Sequence, residues 1–137
     1  MKLLIIDAQG GGIGSRLIAG LRAAGIPSNW SVIAVGTNAL ATNAMLKSGA
    51  DAGATGENAI VWNAARSDII LGPIGIVIAN AMLGEITPAM ASAVSGSDAR
   101  KILIPSAKCS VQVAGVESRP VASYIDEAVR LVIGEVN

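Results

Sequence analysis

Apolar residues along this chain fall into short unbroken runs alternating with stretches where they recur every three or four positions. Residues 2–8 are aliphatic nearly throughout, the pattern of a strand in a parallel sheet covered on both faces. Ile13, Leu17, Ile18 and Leu21 then repeat at helical spacing, so residues 14–24 predict a helix, ended by Gly25-Ile26-Pro27. A second strand is expected at residues 30–35, with Gly36-Thr37-Asn38 terminating it. Thr37 or Asn38 can cap a helix that runs through Leu40, Met45 and Leu46 to Gly49. Residues 49–54 have no periodicity and predict a flexible connection, followed by a helix over 56–65 capped by Thr55. A third strand, residues 68–71, stops at Gly72-Pro73-Ile74-Gly75.

Residues 76–83 are apolar nearly all round, which predicts a buried helix. Thr87-Pro88 starts another helix, Thr capping and Pro at the first position, to about Val94. Residues 101–104 are a fourth strand closed by Pro105, and 111–116 alternate as a fifth would at a sheet edge. The chain closes with an amphipathic helix over 120–133, its apolar face carrying Val121, Tyr124, Ile125, Ala128, Val129 and Val132. The order β-α-β-α-α-β-α-α-β-β-α predicts an α/β fold. We expect a single three-layer Rossmann-like domain, with a mostly parallel sheet of four to five strands flanked by helices.

Composition agrees and adds a constraint. The 137 residues suit one core, and with no Phe, one Tyr and two Trp that core is aliphatic. Hydrophobic residues make up 52% and charged residues 15%, against roughly a quarter charged in ordinary soluble domains. Helices covering both sheet faces, together with burial against further copies of the chain, would account for so little charge, and a homo-oligomer is expected. The ten basic and ten acidic residues cancel, which disfavours a nucleic-acid partner. The longest apolar stretch, residues 74–83, contains Gly75 and Asn80 and is about half of the roughly 20 residues a membrane span needs. With one Cys and no signal-peptide pattern, a cytoplasmic protein is the expectation. The absence of His removes Ser-His-Asp triads, Cys-His dyads and His-bearing metal sites, and no metal site is expected.

The chemistry gathers where strand one meets helix one. Residues 7–14 read Asp-Ala-Gln-Gly-Gly-Gly-Ile-Gly, four glycines in the last five positions. A strand, a glycine turn and a helix start form an anion site, because free N–H groups point outward there and the helix dipole adds positive charge. The dinucleotide spacing Gly-x-Gly-x-x-Gly is not met, since Ser15 holds its last position. The variant Gly-x-x-x-Gly-x-Gly is met at Gly12 and Gly14, with Ala8 in place of its first glycine. No Lys-Ser or Lys-Thr follows, which argues against a P-loop. The end of strand two carries no acid for ribose hydroxyls, and Tyr124 lacks a Lys four residues on. The length suggests about one mononucleotide-binding half of the two-half fold.

Ligands of open α/β sheets bind beyond the carboxyl ends of the strands. The candidate ligand residues are therefore Gln9, Gly10, Gly11, Gly12, Ile13 and Gly14, with Thr37 and Asn38 toward a sugar, and Gly72, Pro73 and Gly75 across the rim. If the protein is an enzyme, Cys109, Lys108 and Glu85 are its chemical candidates. Cys109 also fits a small buried hydrophobe, and Glu85 also fits a cap on the Thr87 helix. Asp7 is expected to hold the glycine loop, and Asn80 to need a partner inside its apolar helix.

The Asp-x-Gln-Gly-Gly-Gly-Ile-Gly start, Gly36-Thr37-Asn38-Ala39-Leu40-Ala41-Thr42, Gly53-Ala54-Thr55-Gly56-Glu57-Asn58-Ala59-Ile60, Gly72-Pro73-Ile74-Gly75-Ile76 and Met82-Leu83-Gly84-Glu85-Ile86-Thr87-Pro88 together resemble a small bacterial family of unknown function. The resemblance covers most of the chain. It implies a Rossmann-like, cytoplasmic protein of about this length with no assigned reaction, and it carries over no catalytic residues. That family's pattern has Gly where this chain has Ala8. The leading expectation is a nucleotide or another small phosphorylated ligand at the rim, NAD(P) among the cofactors that would fit. The alternative is a non-catalytic regulatory or scaffold subunit, oligomeric through residues 74–83.

Overall fold

The computed structural model describes residues 1–106 and 110–136. Lys108 and Cys109 lie outside the described residues. Five strands, β1 (Lys2–Asp7), β2 (Ser31–Gly36), β3 (Ala52–Thr55), β4 (Ile69–Pro73) and β5 (Arg100–Ile104), form one sheet in the order β3-β2-β1-β4-β5. Every neighbouring pair is parallel. The helices are α1 (Gly12–Ala24), α2 (Ala39–Lys47), α3 (Glu57–Ala64), α4 (Pro88–Ser95) and α5 (Val121–Ile133).

β1 is central and shows why its residues are aliphatic at every position. Leu3 and Ile5 face a core shared with Leu17, Ile18 and Leu21 of α1, Met45 of α2, and Ile125 and Val129 of α5. Leu4 and Ile6 face the opposite core, with Ile60 of α3 and Met90 and Val94 of α4. Successive side chains of a strand point to opposite faces, so a strand covered on both sides needs apolar residues at both parities. The result is a three-layer Rossmann-like α/β sandwich. Ala8 is 2% exposed and belongs to the second core, so its methyl group packs inward.

Four expectations are corrected. Residues 49–54 include most of β3, an edge strand of Ala-Gly-Ala-Thr with no apolar alternation to betray it. It is positioned by what surrounds it: Asp51 accepts hydrogen bonds from Val32 N and from Arg22, and a Cβ on Gly53 would stand 3.0 Å from both Leu46 and Thr42. Residues 76–83 are not a helix. A single 3₁₀ turn, Ile74–Val77, leads into a loop in which Asn80, Met82 and Leu83 have positive φ. Asn80 is exposed, and its N–H donates to Ile86 O at 2.7 Å. Residues 111–116 form no strand and lie exposed. Finally, the order 3-2-1-4-5 reproduces five of the six strands of the two-half dinucleotide fold, not one half of it. Strands of four to six residues make that possible in a chain this short.

Among the described residues, no helix is long and apolar enough to cross a membrane.

Candidate functional site

The strand order reverses between β1 and β4, and the crevice beyond their carboxyl ends is where an open α/β sheet takes its ligand. Gln9 and the glycines leave β1 there, Thr37 and Asn38 leave β2, and Ile74 leaves β4.

The glycine loop divides by what each residue is for. Gly11 has φ 72°, and a Cβ on it would meet the Ala41 carbonyl oxygen at 2.8 Å and Ala41 Cα at 2.9 Å. A Cβ on Gly14 would lie 2.5 Å from the sulfur of Met45. Both are glycine because α2 packs against the start of α1. Gly10 and Gly12 are exposed, and a Cβ on either would have no neighbour within 4 Å. Their N–H groups have no hydrogen-bond partner among the described residues. Packing explains two of the four glycines and leaves the two that face outward.

Asp7 closes the loop from below. It is 4% exposed, its Oδ2 accepts from Gly14 N at 2.7 Å and its Oδ1 from Ala8 N at 2.8 Å. The N-cap of α1 is Gly11, which has no side chain, so Asp7 satisfies the helix start instead. This is the loop-holding role expected of it. Ile13 is half-buried and packs on the α1 side of the core.

Across the crevice Gly72, Pro73 and Gly75 are all buried. A Cβ on Gly72 would come within 2.3 Å of Ile6 O, so this glycine serves the close approach of β4 to β1. Buried as they are, these three present no exposed side-chain group to a ligand.

Glu85 does not cap α4. Thr87 does that alone, its hydroxyl accepting from Met90 N at 3.2 Å. The Glu85 carboxylate reaches toward the ends of β1 and β2. It accepts from Gln9 N at 3.0 Å to Oε2 and 3.2 Å to Oε1. Oε1 also accepts from Thr37 Oγ1 at 2.9 Å and Asn38 Nδ2 at 2.8 Å. Asn38 in turn caps α2, accepting from Ala41 N at 2.9 Å, and donates to Gln9 O at 3.0 Å. One carboxylate therefore joins the loops that leave β1 and β2 to the segment before α4.

A family model described as a domain of unknown function, DUF3842, matches residues 2–137. The chain belongs to the DUF3842 family. No curated protein matches it. Among solved structures, a dodecameric FMN-dependent UbiX-like decarboxylase from Escherichia coli O157:H7 is similar at 17% identity and a TM-score of 0.49, over 99% of this chain and 76% of that one.

The two acids of the DUF3842 rim are shifted in opposite directions. Burial pushes the Asp7 carboxyl up from its ordinary value, against the lowering effect of the Gly14, Ala8 and Ile13 amides, and the Glu85 charge pushes it further up. Burial also pushes Glu85 up, but hydrogen bonds from Asn38, Gln9 and Thr37 outweigh it and hold that carboxyl below its ordinary value. Glu85 is thus an ionised acceptor on the rim. Among the described residues no ion pair reaches either acid. The described residues of the DUF3842 domain also contain no group of three His, Cys, Asp or Glu able to hold a metal. Farther along the same edge, a cavity of about 690 Å³ opens beside the end of β5, lined by Ile74, Pro105, Val111, Val113, Arg119 and Tyr124.

Proposed function

We propose that this domain binds a nucleotide or a related phosphorylated ligand at the carboxyl-terminal rim of its sheet. The observation that carries the reading is the partition of the glycine loop. Gly11 and Gly14 are required by packing, whereas Gly10 and Gly12 lie open with unpaired N–H groups at the positive end of α1. A phosphate would take those two N–H groups, and Gly14 would not contribute because Asp7 already holds its amide. Thr37 and Asn38 would lie toward the sugar, with Gln9 between. Dinucleotides such as NAD(P) fall within this class, since the sheet supplies five strands of their fold. If the ligand is also a substrate, Glu85 is the described residue placed to act on it, with Lys108 and Cys109 as further candidates.

The test is calorimetric titration of wild-type protein and Gly12→Val with AMP, NAD, NADP and FMN. Binding by the wild type that is lost in a variant of unchanged melting temperature supports the reading. A variant that binds as the wild type does would overturn it.

A second reading, an oligomeric regulatory or scaffold subunit without catalysis, rests on exposed apolar side chains. Leu83 is 99% exposed at a loop tip, and Leu40 is 68% exposed on the first turn of α2. The segment 74–83 cannot supply the helical interface expected from sequence, since Ile76 is wholly buried in its own chain. Sedimentation of Leu83→Asp against wild type decides whether this surface joins copies.

A further inference from the structure

We propose that Glu85 is a specificity-determining residue which selects ligands bearing free sugar hydroxyls beside the glycine loop and rejects those phosphorylated at that position. The inference rests on the nucleotide reading above and narrows it to a ligand class.

The end of β2 carries no acidic side chain of its own, only Gly36-Thr37-Asn38. Glu85 brings one there from a segment 48 residues beyond Thr37. Its carboxylate is held by groups from two strand ends, Gln9 N, Thr37 Oγ1 and Asn38 Nδ2. Those donors are neutral, so they fix the carboxylate without cancelling its charge. They are also unevenly shared. Among the described residues Oε1 takes Thr37, Asn38 and the longer Gln9 contact, while Oε2 has the single Gln9 contact at 3.0 Å. A carboxylate oxygen has room for about two donors, so Oε2 retains acceptor capacity.

Because Gln9 immediately precedes Gly10, this free lone pair lies one residue from the proposed phosphate position. A sugar hydroxyl linked to that phosphate is a donor of suitable reach. A second phosphate there would face an ionised carboxylate, with the Asp7 carboxyl beneath the same loop and no arginine or lysine in contact with either acid among the described residues.

The experiment measures the affinities of AMP, 2′-deoxy-AMP and adenosine 2′,5′-bisphosphate for wild type, Glu85→Gln and Glu85→Ala, with circular dichroism melts of each. Wild type should bind AMP tenfold or more above the bisphosphate, and above the deoxy compound by about tenfold, the scale of a hydrogen bond to a charged acceptor. Glu85→Gln should shrink the discrimination against the bisphosphate, and Glu85→Ala should abolish the preference for the hydroxyl. If wild type binds all three alike, or if both variants melt as folded proteins and keep the wild-type ratios, the selectivity assignment is overturned while nucleotide binding stands. If none of the three binds wild type, the nucleotide reading fails and this inference fails with it.

Discussion

Two adjacent glycines should respond in opposite ways to the same small change. In Gly11→Ala the new methyl group occupies a residue with φ 72°, a conformation that costs an L-residue about 1–2 kcal/mol. It also meets the Ala41 carbonyl oxygen at 2.8 Å and Cα at 2.9 Å, and these are backbone atoms that move only if α2 moves. Overpacking of that kind costs about 1–3 kcal/mol more. Gly12→Ala has neither problem. Its φ lies outside the left-handed region and no atom stands within 4 Å of the new Cβ. Lower entropy of the unfolded chain should then stabilise the fold by about 0.4–1 kcal/mol. The expected gap between neighbouring positions is roughly 3 kcal/mol or more. That corresponds to about ten degrees in melting temperature for a domain of this size. Urea titration at a common slope reads it directly. Equal costs at the two positions, within about 0.5 kcal/mol, would refute the partition of the loop and the functional reading built on it.

Asp7→Asn should destabilise by about 1–3 kcal/mol, because the amide offers one acceptor oxygen to two buried N–H groups and turns its NH₂ toward the other; a urea midpoint equal to wild type would show that the amides find other partners. Acid stability should carry the mark of Glu85. Its folded pKa lies below its ordinary value of 4.5, so its stabilisation is present above that value and is lost as pH falls through the folded pKa. Asp7 is raised from 3.8, so its contribution runs the other way: full below that value and lost as pH rises through its folded pKa. Glu85→Gln should therefore flatten the acid side of a plot of urea midpoint against pH, and parallel curves for variant and wild type would count against it. Leu83→Gly should raise stability by about 1 kcal/mol, since Leu83 has φ 58° and is 99% exposed, with strain to relieve and little packing to lose; a lower melting temperature would mean that another copy covers this side chain.

What the sequence discloses depends on how locally each feature is determined. The central strand is legible because burial on both faces demands apolar residues at every position, and Leu3 to Ile6 meet that demand. The start of α4 is legible because Thr87 and Pro88 act within one turn. β3 is not, because Ala52–Thr55 holds its place through Asp51, Arg22 and the close contacts at Gly53, none of which leaves a local pattern. The apolar run at 74–83 misleads for the converse reason. Ile76 is fully buried by the sheet, but Asn80, Met82 and Leu83 adopt left-handed conformations; Asn80 is a residue type that tolerates this region, whereas nothing in Met82 or Leu83 announces a turn. A run of apolar residues reports that something covers part of a segment and is silent on the path of its backbone.

Glu85 illustrates the same limit at the site. Sequence places it after Gly84 and just before a helix cap, and a local role follows naturally. The left-handed residues at Met82, Leu83 and Gly84 instead turn the chain back, with Gly84 N donating to Asn80 O at 3.1 Å and Asn80 N to Ile86 O at 2.7 Å. That turn carries Glu85 away from α4 and toward Gln9, Thr37 and Asn38. The acid missing from the end of β2 was thus present in the chain, on the far side of two strands in sequence. The strain at Met82 and Leu83 gains a purpose if it holds an ionised carboxylate against the β1 and β2 loops. On that argument Leu83→Gly, by relaxing the turn, should stabilise the protein and weaken AMP binding together, whereas strain unrelated to the site would be relieved with affinity unchanged.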